Sequence, residues 1–344
     1  MKFTEVKNTS DLWQFMTSPS PGLVRSLTKL GAEDMLILGG SGKMGKELVG
    51  LVQKADRLNG TQRRIMVAST FSRAADLEEM QWLGVTCYQG DLGDESFLDS
   101  LPDAPYLVYM MGFKFGSSAD WRKAFHMNSV VPYLVGRKYA GSSIVVFSSG
   151  NPYPHTSRYG AGASEKDALS PVGIYGWSII ARESSFQTTA MQHHGQRISI
   201  FRLMYAQHLQ YGVLVDLARM VLNQEPISLE MPAVNLISQR DANEVALRSF
   251  EKSSREGWIV NAAGPVWQVR DIVTLLAQYL GKPPHFDGSE TGNALLADDT
   301  LARQAFGEYQ DSCEEMIEAA ARWVLNEGDY WDKPTLFGRI RHNY

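Results

Sequence analysis

Met35-Leu-Ile-Leu-Gly-Gly-Ser-Gly-Lys-Met-Gly45 is the stretch from which the rest of the chain is read. Four apolar residues, Met35 to Leu38, have the pattern of a short buried strand and run directly into glycines at 39, 40, 42 and 45. The chain resumes as Lys46-Glu-Leu-Val-Gly-Leu-Val52, which reads as a helix, so the whole is a strand–turn–helix unit. Glycines let the backbone turn tightly and approach a pyrophosphate, and the free N–H groups and positive end of the next helix face that anion. G-x-x-G-x-x-G at this junction points to a dinucleotide cradled by Gly39, Ser41, Gly42, Lys43, Met44 and Gly45.

The same alternation continues downstream. The first helix ends near Asn59-Gly60, a C-cap, and Arg64 to Ala68 reads as a second strand. In NAD-selective sites an acidic side chain at the end of that strand holds the ribose hydroxyls. Here the strand ends in Ser69-Thr-Phe-Ser-Arg73, with no carboxylate before Asp76. Small hydroxyls leave room for a 2′-phosphate that Arg73 could pair with, which favours NADP over NAD; a solvated arginine at a helix start is the other reading of Arg73. Val85 to Tyr88 reads as a third strand leading to Gly90-Asp91-Leu92, where Asp91 either meets an adenine amine or caps a turn. Tyr106 to Met111 reads as a fourth strand, ending in Gly112-Phe-Lys-Phe-Gly116. Ser142 to Phe147 reads as a fifth, ending in Ser148-Ser149-Gly150. The expected fold is α/β: a doubly wound parallel sheet whose ligand lies across the strands' carboxyl ends, where Asp91, Leu92, Met111 and Gly112 fall.

The 344 residues allow one large or two modest domains, and 44% hydrophobic content is ample for a core. A net charge of −5 with interspersed signs argues against a nucleic-acid or anionic-membrane surface. Two cysteines, Cys87 and Cys313, give no disulfide framework, so a reducing cytoplasm is the expected compartment. The N-terminus lacks the apolar core of a secretory signal, and no stretch approaches 18 uninterrupted apolar residues. His193-His194 precedes Gly195 at a helix end with no carboxylate or cysteine at ligand spacing, so no metal site is expected. Residues 1–33 read as a helical extension on the outside of the main domain, 34–205 as the dinucleotide-binding domain with a returning segment near 236–264, and 206–344 as a smaller substrate lobe.

GGSGKMG, Gly90-Asp91-Leu92, Asn128, FSSGNPYP (147–154) and Tyr175-Gly-Trp-Ser-Ile-Ile-Ala-Arg-Glu183 together resemble the extended short-chain dehydrogenase/reductase family, the NAD-dependent epimerase/dehydratase group. The resemblance covers roughly 34–330, including Arg202-Leu-Met-Tyr205, a segment Ile237 to Asp241 like the family's return to the sheet, and 294–303 and 316–325 like its last two helices. It implies that Ser149 and Tyr175 are the catalytic serine and tyrosine, with Asn128 beside them, and that two long helices pair the chain into a homodimer. It also implies a lysine four residues after the tyrosine, where this chain has Ile179. A tyrosine of pKa near 10 is ionised about once in a thousand at pH 7, which costs roughly 4 kcal/mol if the phenolate is the base.

Three accounts of that departure follow. Lys114, in the loop after the fourth strand, supplies the missing charge; or the neutral phenol acts only as a proton donor in carbonyl reduction; or catalysis is lost and a dinucleotide-binding sensor or scaffold remains. The expected function is an NAD(P)-dependent oxidoreductase or epimerase acting on a sugar, sugar acid or nucleotide-sugar-like substrate, with a non-catalytic NAD(P)-binding sensor as the alternative. Asn151, Tyr153, His155, Arg158, Tyr205, His208 and Arg240 are the expected substrate contacts.

Overall fold

The computed structural model describes residues 1–331 together with 333, 335 and 337. Seven parallel strands form the central sheet: β1 (Met35–Leu38), β2 (Ile65–Ser69), β3 (Thr86–Gln89), β4 (Tyr106–Tyr109), β5 (Ser143–Ser149), β6 (Arg197–Leu203) and β7 (Trp258–Ala262). Their order is β7-β6-β5-β4-β1-β2-β3, so the winding reverses between β1 and β4, and a crevice opens there beyond the carboxyl ends. Every residue of β1 and β2 is buried because helices cover both faces, as the unbroken apolar runs predict.

In chain order the helices that matter are α1 (Thr9–Met16), α2 (Pro21–Lys29), α3 (Gly45–Asn59), α4 (Ala74–Trp82), α5 (Glu95–Ser100), α6 (Trp121–Phe125), α7 (Val131–Lys138) and α8 (Gly173–Gln192). They are followed by α9 (Val213–Leu222), α10 (Gln239–Arg248), α11 (Val269–Leu280), α12 (Thr300–Phe306) and α13 (Cys313–Leu325). One face of the sheet packs on α2, α3 and α10 through Leu27, Leu48, Val52 and Val245; the other packs on α7 and α8 through Val131, Val135, Phe186 and Ala190. A second core joins α9, α11 and α13. The N-terminal segment belongs to both: α2 lies on the main sheet's core, while Phe3, Leu12, Phe15 and Met16 are buried in the second.

Three expectations change. The fifth strand runs two residues further, to Ser149, because Ser148 and Ser149 pair with Arg202 and Leu203 of β6. Ile237 and Ser238 do not enter the main sheet; with the rest of Ala233–Ser238 they join Tyr205–Gln207 and Val266–Gln268 in a separate three-stranded sheet, and within the returning segment expected near 236–264 it is β7 that pairs with the main sheet. Residues 294–299 are not helical, and α12 starts only at Thr300. The side chain of Asn235 explains this: its Nδ2 donates to Ala297 O (3.1 Å) and its Oδ1 accepts from Ala297 N (2.9 Å), taking the groups a helix would use. Among the described residues no helix is long and apolar enough to cross a membrane.

Candidate active site

Three of the motif glycines do different jobs. Gly39 has φ +82°, and a Cβ there would lie 2.7 Å from Met111 N, so the turn presses against the fourth strand's end. A Cβ on Gly45 would lie 2.0 Å from Gly40 O, which brings the start of α3 onto the turn. At Gly42 the only nearby atom is Gly39 O at 3.5 Å, so its bare face opens outward at the end of a 15-residue helix. That is a cradle a side chain would fill, at the positive end of a helix, and it fits a diphosphate.

Along the β2 edge, Ser69 Oγ lies 2.5 Å from Ser41 Oγ. Arg73 is exposed and engaged by Asp76, with Nε 3.0 Å from Oδ2. Asp91 Oδ1 accepts from Gly93 N at 2.8 Å, the turn-forming alternative, and the N-cap of α5 is Asp94. The Leu92 side chain is 1% exposed within the core under the sheet, so only its backbone is left to face a ligand. Gly112 is compressed from behind: a Cβ there would meet Arg182 Nη2 at 2.3 Å.

Tyr175 stands in the first turn of α8, and positions 175, 179 and 182 fall on one helical face. Its phenol hydrogen-bonds Ser149 at the end of β5. Ser149 Oγ also accepts from Asn151 Nδ2 at 2.8 Å, so Asn151, expected at the substrate, instead orients the serine. Ile179 is fully buried where the family's lysine would be. Burial pushes the Tyr175 phenol above its ordinary value of 10; the charge of Arg182 and then the bond to Ser149 oppose that shift. The net direction is upward, so the phenol is neutral at pH 7.

Two cations approach this pair. Lys114 Nζ lies 5.5 Å from the centroid of the Tyr175 ring, over its face, and burial lowers its ammonium to about 8. Arg182 is the cation whose charge acts on the phenol. It is 4% exposed, with Nη1 donating to Phe147 O (2.8 Å) and Nη2 to Asn128 Oδ1 (2.5 Å). Arg182 escaped the sequence reading, although an arginine seven residues after the tyrosine, hence on the same helical face as Tyr175 and Ile179, was the signal.

Asn128 lies in a π-helical turn, His126–Val130. Its Nδ2 donates to Phe113 O (2.8 Å) and Ser178 Oγ (2.9 Å), while Oδ1 accepts from Phe113 N (3.0 Å) as well as Arg182. With two donors and two lone pairs all engaged, it ties the loop carrying Lys114 to α8 and has no capacity left for a proton relay.

A cavity of about 310 Å³ opens beside the glycine turn, walled by Gly42, Lys43, Lys114, Tyr205, Gln207 and Tyr211 among others. Lys114 links it to Tyr175. Of the expected substrate contacts, Tyr205 lines this cavity. Tyr153 is buried, donating to Asn261 Oδ1 (2.8 Å) and accepting from Arg202 Nη1 (2.7 Å). Arg158 is paired with Glu290 and Arg240 with Asp311, so those guanidinium groups serve the fold. His208 stacks on the Trp331 ring, burial holds its imidazole down at about 3, and His155 is half-buried in the 150–164 loop. Among the described residues no group of three or more His, Cys, Asp or Glu could hold a metal ion.

The sheet order and the glycine turn define a dinucleotide-binding α/β fold of the Rossmann type. No family model matches the chain, and no curated protein does. Solved structures do. The UDP-glucose 4-epimerase of Thermotoga maritima, determined with UDP-glucose, is 17% identical over 86% of this chain and 99% of its own, with a TM-score of 0.69. The UDP-glucuronic acid 4-epimerase of Bacillus cereus, in complex with NAD, is 16% identical over 86% and 99%, with a TM-score of 0.68. The UDP-glucose 4-epimerase of Thermus thermophilus, also with NAD, is 18% identical over 84% and 97%, with a TM-score of 0.67. The chain shares the α/β fold of these epimerases over almost their whole length.

Proposed function

We propose that this protein is an NAD(P)-dependent oxidoreductase working in the reductive direction on the carbonyl of a hydroxylated, sugar-like substrate. The carrying observation is the Tyr175–Ser149 pair, whose phenol is held above its ordinary pKa with Ile179 in the lysine position. A neutral phenol is a proton donor. Reduction needs a donor to the developing alkoxide, whereas oxidation or epimerisation starts by removing a hydroxyl proton and requires the costly phenolate.

When bound, the nicotinamide supplies the hydride. Gly42 and the start of α3 would hold its diphosphate, Ser69 and Arg73 its adenosine ribose. Ser149 Oγ and the Tyr175 hydroxyl would grip the substrate oxygen together, and Tyr175 would give it the proton. Arg182 and Asn128 are positioning residues: they hold β5, α8 and the Lys114 loop in mutual register. NADP is the preferred cofactor in this reading. No carboxylate terminates β2, and an exposed Arg73–Asp76 pair worth about 0–1 kcal/mol yields readily to a 2′-phosphate. Two of the solved neighbours named above were determined with NAD, so the ratio of NADPH to NADH efficiency is the measurement that decides.

A homodimer through α7 and α8 belongs to the proposal, because Trp177 is 54% exposed on that side; sedimentation showing only monomer would remove it. The free thiols Cys87 and Cys313 suit a reducing compartment such as the cytoplasm. A second reading has its own observation: buried Ile179 suits a dinucleotide sensor that has lost turnover. Reduced cofactor with a panel of carbonyls, beside Tyr175→Phe, separates the two. Turnover that falls about 10²–10⁴-fold in the variant supports the reductase. Tight cofactor binding with no Tyr175-dependent turnover supports the sensor.

A further inference from the structure

The cavity beside the glycine turn has an unusual charge content. Lys43 and Lys114 both line it, and Lys333 acts on Lys43 from the C-terminal segment. Lys43 Nζ rests on the face of Tyr211, 3.0 Å from the ring centroid, and so points to the smaller lobe's side of the turn. Lys114 lies over Tyr175, so the cavity the two lysines share reaches the catalytic pair through Lys114. Burial, then Lys333, then Lys114 hold Lys43 down at about 7, and burial holds Lys114 at about 8. Asp216 acts on Lys43 in the opposite sense, but its carboxylate is engaged by Tyr330 Oη (2.8 Å), Thr335 N (2.7 Å) and Thr335 Oγ1 (2.6 Å). Like charges brought together in a half-enclosed cavity repel, and an anion between them relieves both the repulsion and the desolvation.

We propose that this cavity binds the carboxylate of the substrate between Lys43 and Lys114, which makes the substrate a small hydroxylated oxo acid, of the sugar-acid kind, rather than a neutral sugar or a nucleotide sugar. The inference rests on the reductase reading of the same site. Size agrees with it: about 310 Å³ is at the low end of the ~300–1,000 Å³ usual for ligand pockets, and a nicotinamide must share the space. The walls agree as well. Tyr205, Gln207 and Gln239 add neutral hydrogen-bonding groups that can orient a small polar molecule without adding a competing negative charge.

The test uses the full chain, with and without saturating oxidised cofactor, and three probes: pyruvate, methyl pyruvate and inorganic pyrophosphate, read by calorimetry. Pyruvate should bind at least about tenfold more tightly than its uncharged ester. Lys43→Met should weaken pyruvate about 10–100-fold, the range for losing one charged hydrogen bond, and leave the ester unchanged. Lys43→Arg should keep the preference, which controls for misfolding in the methionine variant. Pyruvate binding at pH 8 should draw protons from buffer, seen as a dependence of the heat on buffer ionisation enthalpy. Equal binding of pyruvate and ester overturns the proposal. So does pyruvate binding that the oxidised cofactor abolishes, or a Lys43→Met variant that weakens pyrophosphate but not pyruvate, because the lysines then serve the cofactor's diphosphate. Carboxylate binding without turnover would sink the reductase reading and spare this one; Tyr175-dependent reduction of neutral carbonyls alone would do the reverse.

Discussion

Replacing Arg182 by methionine probes the part of the site that compensates for Ile179. The side chain is 4% exposed and donates to Phe147 O at the end of β5 and to Asn128 Oδ1 in the π-helical turn. Hydrogen bonds from a charged donor contribute about 1.5–3 kcal/mol each, so two amount to ~3–6 kcal/mol. Part of that is offset in the wild-type chain, because desolvating a guanidinium is costly and its Nε makes no hydrogen bond among the described residues. Methionine fills much of the volume without that cost. The expected net loss is ~2–4 kcal/mol, read as a lower urea midpoint at an unchanged m-value. A second consequence is chemical. Arg182 is the charge that restrains the rise of the Tyr175 pKa, so its removal should drive the phenol higher and move any alkaline decline of reductive turnover to higher pH. A loss below about 1 kcal/mol, together with an unmoved alkaline limb, would refute the claim that Arg182 holds both Asn128 and the phenol.

Gly42→Ala separates folding from cofactor binding. Space for a Cβ exists and the backbone there is not left-handed, so stability should change by less than about 1 kcal/mol, while calorimetry should show dinucleotide binding lost or weakened by at least tenfold. Unimpaired binding would remove the diphosphate from this turn. Glu47, in the first turn of α3, gives a pH test: burial raises its carboxyl from 4.5 to about 7. A group whose folded pKa is raised contributes stability fully present below the unfolded value of 4.5 and lost as pH rises through 7; the gap is worth ~3 kcal/mol. Glu47→Gln should therefore match the parent within about 1 kcal/mol at pH 5 and exceed it by up to ~3 kcal/mol at pH 8. Equal urea midpoints at both pH values would show that the carboxyl is solvated.

Much of the architecture was legible because its signals are local. Four apolar residues followed by spaced glycines, repeated as strands that end in small residues, define a parallel sheet with ligand-facing ends. Gly60, with φ +69°, closes α3 where the sequence placed it. The failures share a cause. Leu295 to Ala297 have a helical pattern, yet a side chain sixty-two residues away takes both backbone groups of Ala297. Tyr153 and Arg158 in a suggestive loop and Arg240 at the start of α10 carry functional-looking groups, and each is committed to a partner remote in sequence: Asn261 and Arg202, Glu290, and Asp311. Burial and pairing of polar groups are properties of the folded chain, so residue type alone could not distinguish a substrate contact from a structural one.

By itself the sequence determined the alternation of strands and helices, the glycine cradle and the absence of lysine at position 179, because each of those signals lies within a dozen or so contiguous residues. Only the tertiary structure decided which charges meet Tyr175 and which enter the neighbouring cavity. Arg182 reaches Asn128 across 54 residues of chain, and Lys43 reaches Tyr211 across the two cores. Those meetings depend on how crossovers and the second core fold back over the carboxyl edge, and on a low-dielectric interior that strengthens each charge once it arrives.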